Sequence, residues 1–244
     1  MPTTPMNGFE LWKQGVDRAP GDSRWSRHDC AVLTTLAAFQ LHLQQTPGWQ
    51  PIDPAWIKAM LWVETGAGSR EWYRKPLQIG VPGDAGLGAL LSGMEGGDEV
   101  LPPGLKARLS KAAVLTIPET NIVAGIGYLL MRLATYEHQS IPVPGSHVVP
   151  HTIRPGENLE RIARTAGSTA DWLKRLNPSA GILRPGDRLL VQRASLQRVV
   201  TGWRLITRAF LQDRYNGQGD LTYARKVAYA LQIVRKVGID ICPR

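Results

Sequence analysis

The chain has 244 residues, 43% of them hydrophobic and 20% charged, with 25 Gly, 18 Pro and 8 Trp. That apolar content can offset the entropy of folding, which excludes a disordered chain; the longest apolar stretches, such as Ile122–Leu133, are too short to cross a bilayer, which excludes a membrane-spanning protein. The net charge of +9 is uneven, with 12 Lys and Arg against 13 Asp and Glu over residues 1–147, 8 against 4 over 148–193 and 9 against 3 over 194–244, so the C-terminal half suits an anionic partner.

Met1 to Asp17 contains Glu10, Lys13 and Asp17 without an apolar run, so it does not read as an export signal. Apolar residues at helical spacing predict a helix over Ser26–Gln45. A second is predicted from Pro54 to about Thr65: Asp53 can cap its free amides, Pro54 suits the first helical position and Gly66 supplies the stop. Gly66 to Pro103 is glycine-rich, with little periodicity, and reads as one long functional loop. Asn121–Tyr136 is a third, strongly apolar helix, and Ser140–Ser146 is a linker by composition. Beyond it lie a β-like stretch at His151–Ile153, two short helices and a strand at Arg188–Gln192, bracketed by Arg154-Pro155-Gly156-Glu157 and Arg184-Pro185-Gly186-Asp187. Helices are predicted again over Leu196–Gln212 and Tyr223–Val237.

Glu64 is the foremost catalytic candidate. Ile57, Leu61 and Glu64 share one helix face, so the carboxyl lies among core residues. Burial disfavours its charged form, as a general acid near neutral pH requires; a helix-end glutamate fraying into solvent is the plain alternative. The five histidines, His28, His42, His138, His147 and His151, lack ligand spacing, so no metal and no cofactor is expected. Cys30 and Cys242 form either a disulfide tying the two ends or two free thiols. The basic residues are scattered without a nucleic-acid-binding motif, so nucleic acid is not expected as a partner.

Four segments occur in a telling order: Ile52-Asp53-Pro54 through Glu64-Thr65, Pro76-Leu77-Gln78-Ile79-Gly80, Asn121-Ile122 with Gly125 and Tyr128-Leu129, and Tyr215-Asn216-Gly217 with Gly219 and Tyr223-Ala224. Together they resemble the soluble lytic transglycosylases, whose fold is that of goose-type lysozyme. The resemblance implies Glu64 as the sole acid/base. It places Thr65, Gln78, Ile79, Asn121, Tyr128, Tyr215 and Asn216 at the glycan cleft, with Tyr215 hydrogen-bonded to Glu64. Thr65 stands where the family has serine, Pro76-Leu77 departs from the family's loop, and Gly83–Leu87 does not align with it.

A second run, His151 to Leu159, then Ile162-Ala163, Leu173, Leu176-Asn177-Pro178, Leu183, Pro185-Gly186 and Leu189, resembles a LysM domain, a βααβ module that binds N-acetylglucosamine-containing chains. Its sugar groove would involve Gly156, Glu157, Asn158, Leu159, Asn177, Pro178, Ile182 and Leu183. The expected fold is therefore α+β and mainly α: a lysozyme-like catalytic domain over 1–140 and 197–244, interrupted by a LysM module over 148–193.

The implied activity is cleavage of the MurNAc–GlcNAc bond of peptidoglycan to 1,6-anhydro products. The alternatives are a hydrolase drawing a second carboxylate from Glu71, Asp84, Glu95, Asp98 or Glu99, and an inactive wall-binding protein. A wall enzyme without an export signal implies synthesis in a bacterial cytoplasm and action in the periplasm or wall of a target cell. Its expected partners are glycan strands, a secretion apparatus and a periplasmic immunity protein.

Overall fold

The computed structural model describes residues 8–217 and 219–242; the first seven residues of the stretch read for an export signal lie outside it. The molecule is α+β and mainly helical, with two small antiparallel two-stranded sheets. Its elements are α1 (Gly8–Asp17), α2 (Asp29–Leu43), α3 (Pro54–Glu64), α4 (Gly86–Ser92), α5 (Gly97–Val100), α6 (Pro103–Lys106), α7 (Lys111–Thr116), α8 (Pro118–Leu133), β1 (Ala134–Pro142), β2 (Val149–Thr152), α9 (Leu159–Thr165), α10 (Ala170–Leu176), β3 (Arg188–Val191), β4 (Ala194–Trp203), α11 (Arg208–Phe210) and α12 (Tyr223–Val237). Among the described residues no helix is long and apolar enough to cross a membrane.

The chain divides into two compact units, one discontinuous (residues 1–135 and 200–244) and one continuous (136–199). Both boundaries fall inside strands, since the chain leaves the first unit along β1 and returns along its partner β4.

In the discontinuous unit α3 starts as its sequence dictates: the Asp53 carboxylate accepts the Ala55 N–H at 2.9 Å and Pro54 takes the first position. Helices α2 and α12 pack against it, so Ile57, Met60, Leu61 and Trp62 are all buried. Lys58 is buried too, with its Nζ donating to Asp29 at 2.6 Å and to the Gly238 carbonyl at 3.0 Å. Asp29 also accepts the Asp240 N–H at 2.8 Å, and Cys242 is disulfide-bonded to Cys30. The segment after α12 thus ties back onto α2 and α3. Helix α8 is apolar around nearly its whole circumference and is correspondingly buried, with α2, α4, α5 and α7 packed on it.

In the continuous unit β2 and β3 pair antiparallel, Val149 opposite Val191 and Thr152 opposite Arg188. With α9 and α10 between them in sequence, they enclose a core of Ile153, Ile162, Ala163, Leu173, Leu189 and Val191. Asn158 and Thr169 cap the two helices by accepting the N–H groups of Arg161 and Trp172.

Several elements differ from the sequence expectation. The helix predicted over Leu196–Gln212 is strand β4 as far as Trp203, followed by the one-turn α11 and a π-helical turn at Leu211–Tyr215. Val199, Val200, Thr201 and Trp203 favour a pleated surface, and pairing with β1 supplies it. The third helix ends at Leu133, and the residues expected to continue it open β1. Ser140–Ser146 is no free linker: Ser140 is buried in β1, Val143 donates its N–H to the Arg193 carbonyl at 2.9 Å, and Gln192 donates to the Ser146 carbonyl at 3.0 Å. Pro142 and Pro144 hold this stretch extended, ready to be paired. The glycine-rich Gly66–Pro103 loop contains α4, α5 and a 3₁₀ turn at Arg70–Tyr73, elements too short to show a period.

Candidate active site

Glu64 is the last residue of α3. Thr65 follows in a non-helical conformation, and Gly66 turns the chain away at φ +65°, where any Cβ would meet the Trp25 ring at 2.9 Å. The Glu64 carboxyl therefore stands at the end of a buried helix. Removal from water pushes its pKa from 4.5 to about 7. A hydrogen bond from the Tyr223 hydroxyl to Oε1, at 2.7 Å, works in the opposite direction, the charges of Asp220 and Asp84 push further up, and Lys226 pulls down. Burial wins. The carboxyl can hold a proton near neutral pH and can also give it up.

Tyr223 is the first residue of α12 and is 2% exposed, on the same face as Val227, Ala230 and Val234. Burial, with the Glu64 charge beside it, holds its phenol well above the ordinary tyrosine pKa, so it acts as a donor. The turn before it is braced. Asp220 accepts from the Thr222 N–H and hydroxyl at 2.8 and 2.7 Å and pairs with Lys226 at 2.6 Å, while Gln212 bridges the Asp220 carbonyl and the Ala224 N–H. Asn216, in the amide orientation that satisfies both its ends, accepts from the N–H groups of Gly219 and Asp220 at 3.1 and 2.9 Å. It shapes the turn that precedes α12.

The hydrogen bond to Glu64 comes from Tyr223, and this corrects the expectation for Tyr215. The Tyr215 hydroxyl, carried on the π-turn, donates instead to the Leu77 carbonyl at 3.3 Å, and its ring lies 5.7 Å from that of Tyr128. Tyr215 still feels the Glu64 charge: burial first, and that charge second, hold its pKa well above the ordinary value. Burial likewise raises that of Tyr128.

The loop Leu77–Gly80 is pinned from beneath by Asn121, which is fully buried. Its Oδ1 accepts the Leu77 N–H at 2.9 Å, and its Nδ2 donates to the carbonyls of Ile79 and Val114 at 3.2 and 3.1 Å. Thr65 Oγ1 donates to the Pro76 carbonyl at 3.0 Å. Asn121 and Thr65 are thus positioning residues; Ile79 is buried and contributes its backbone. Among the described non-glycine residues, Gln78 alone has positive φ, +53°, and it donates from its side chain to the Lys75 carbonyl. Gly125 lets the loop approach α8, since a Cβ there would fall 2.5 Å from Leu77 Cδ1 and 3.1 Å from the Tyr215 hydroxyl.

Of the five acids considered as a second carboxylate, Asp84 is the one whose charge acts on Glu64. It accepts the N–H groups of Gly80 and Gly86 at 2.6 and 2.7 Å. Glu71, Glu95 and Asp98 pair instead with Lys75, Arg132 and Lys106. Among the described residues no three His, Cys, Asp or Glu side chains gather as a metal-binding group.

The candidate sugar-groove residues of the continuous unit divide sharply. Glu157 accepts from His151 Nε2 at 2.8 Å and from the Arg154 N–H at 2.9 Å, and these bonds lower its pKa. Asn158 caps α9, Asn177 bonds both the N–H and the carbonyl of Leu190 at 2.8 Å, and Leu159 and Leu183 pack on the core. Gly156 (φ +78°), Pro178 and Ile182, the last 84% exposed, face solvent.

Sequence reasoning carried Tyr223 in a motif without giving it a role and named Asp84 only as one of five loop acids. Tyr223 had a signal, the heptad-like spacing that sets it on the core face of α12; nothing local sets Asp84 apart from the other four, because a loop carboxylate gains its role only from the fold. Compared with protein-family models, with curated proteins and with solved structures, the chain matches none.

Proposed function

We propose that the chain is a lytic transglycosylase acting on peptidoglycan, with a lysozyme-like catalytic domain and an inserted LysM module that holds the glycan strand. The observation that carries the reading is the Glu64 carboxyl, with a pKa of about 7 and a tyrosine donor on one oxygen. Protonated Glu64 donates to the glycosidic oxygen as the bond to C1 of the muramoyl sugar breaks, and the N-acetylglucosamine end leaves as an alcohol. The resulting carboxylate takes the proton of the same sugar's C6 hydroxyl while that oxygen bonds C1. Glu64 ends protonated as it began, and no water is consumed. The LysM module raises the local concentration of strand. The place of action is the periplasm or wall of a target cell, reached through a secretion apparatus and guarded against in the producer by an immunity protein.

A second reading has one observation in its favour. Asp84 bears on Glu64 and is held in place by two backbone N–H bonds that it accepts. A second carboxylate could direct a water to C1, giving hydrolysis. Mass spectrometry of fragments released from purified peptidoglycan separates the two. Products one water lighter than reducing muropeptides, absent with Glu64→Gln, are expected; reducing ends lost with Asp84→Asn would mean a hydrolase. Binding without release would leave a wall-binding protein.

A further inference from the structure

A cavity of about 450 Å³ lies along the loop from Gly80 to Leu91, on the same unit as Glu64. Its walls are apolar, from Val81, Pro82, Leu87, Leu91 and Leu115, with bare backbone at Gly80, Gly83 and Gly88. The loop is held open in advance. Asp84 clamps it at Gly80 and Gly86, and Gly80, at φ +83°, approaches Leu87 so closely that a Cβ would fall 2.7 Å from its Cδ2. Asp84 belongs both to this cavity and to the electrostatic environment of Glu64, so the two sites are neighbours.

One cation lines the cavity, Lys111, and it forms no ion pair among the described residues. Apart from Lys111 and Asp84, no polar side chain lines the walls. A sugar ring seated here would leave its hydroxyls unmatched, a costly arrangement. A short peptide with small apolar side chains and a free carboxylate fits: methyl groups against the leucines, amides along the bare glycine backbone, the carboxylate on the ammonium. We propose that this cavity receives the peptide stem of the wall strand and that Lys111 reads a stem carboxylate, making it a specificity-determining residue. The inference rests on the peptidoglycan reading and adds to it that the enzyme distinguishes stem-bearing from bare glycan.

The test compares kcat/KM on intact wall strands with that on strands stripped of stems by an amidase, for the wild type, Lys111→Gln and Lys111→Arg. The wild type is expected to favour stem-bearing strands about tenfold, the worth of one well-placed interaction. Lys111→Gln should bring that ratio to about one through KM, and Lys111→Arg should restore most of it. A ratio unchanged in Lys111→Gln, or none in the wild type, would overturn the proposal while leaving the enzyme reading intact. Should neither substrate be cleaved, it is the enzyme reading that fails, and the cavity is then tested by titrating a soluble stem tetrapeptide against the leucine methyl resonances of the full chain. Shifts at Leu87 and Leu115 that weaken in Lys111→Gln would support the pocket, and no shifts would overturn it.

Discussion

The two units use their polar residues in opposite ways. In the continuous unit the asparagines and glutamate of the sequence motif are consumed by the fold: Glu157 closes a turn with His151, Asn158 starts a helix, and Asn177 staples a loop to β3. In the discontinuous unit Asn121 and Thr65 do similar service, fixing the chain at Leu77 and Pro76, while the Glu64 carboxyl takes its hydrogen bond on Oε1 from Tyr223. A motif can therefore mark a scaffold or a reactive group, and the direction its polar atoms face tells which. The small unit offers solvent a glycine turn, a proline and Ile182.

The widest test of this contrast removes what is special to the larger unit. The Cys30–Cys242 disulfide spans 212 residues, and its loss through Cys242→Ser should destabilise that unit by up to about 5 kcal/mol on the chain-entropy account. Hydrogen exchange should show the loss in α2, α3 and α12 and little change in α9 and α10; equal loss in both would mean the units do not unfold separately. Next in size, Glu64→Gln should lower the rate of strand cleavage about 10³-fold, within the range for an acid/base group, with circular dichroism unchanged.

The same residue carries a pH signature. Its folded pKa, about 7, lies above its ordinary value of 4.5, so the native state holds a proton that the unfolded chain gives up. Stability then falls as pH rises from 4.5 to 7 and levels off above, by at most about 3 kcal/mol. Since Glu64 keeps some contact with solvent, the observed drop should be smaller. Glu64→Gln should flatten this part of the profile, seen as a higher Tm than wild type at pH 8 but not at pH 4.

A smaller effect is expected in the other unit. Asn177→Ala leaves the Leu190 N–H and carbonyl unmatched and should cost about 2 kcal/mol there, with weakened retention on insoluble wall but unaltered turnover of short soluble strands. Smallest is Tyr223→Phe, expected to slow cleavage about tenfold, as loss of one hydrogen bond to a charged group would. Because the tyrosine bond lowers the Glu64 pKa, its removal should move the falling alkaline limb of the rate profile to higher pH. A limb that stays put would mean the bond holds shape and does not tune the acid.

What the sequence made legible follows the range of the forces involved. Asp53-Pro54 and the Tyr223–Val237 period act over one helix, and both helices start where these residues set them. The strand at Ala194–Trp203 was unreadable because its partner, β1, is remote in sequence and Leu196–Gln212 has an equally good helical spacing of apolar residues. The choice between Tyr215 and Tyr223 was unreadable for a related reason. Both precede or open α12 as aromatic residues near a turn, and only the π-turn at Leu211–Tyr215 decides that the first phenol faces Leu77. The Lys58–Asp29 pair, buried and tied to the C-terminal segment, gave no local sign at all.

The hydrogen bond between Tyr223 and Glu64 joins residues 159 positions apart in the chain. On a ribosome adding about 5–20 residues each second, roughly 10 to 30 s pass between the birth of the acid and the arrival of its partner. During that interval α3 has no α12 to lie against, and Glu64 is an ordinary wetted glutamate with an ordinary affinity for protons. Glu64 gains its raised proton affinity only once α12 has been made and has packed on α3.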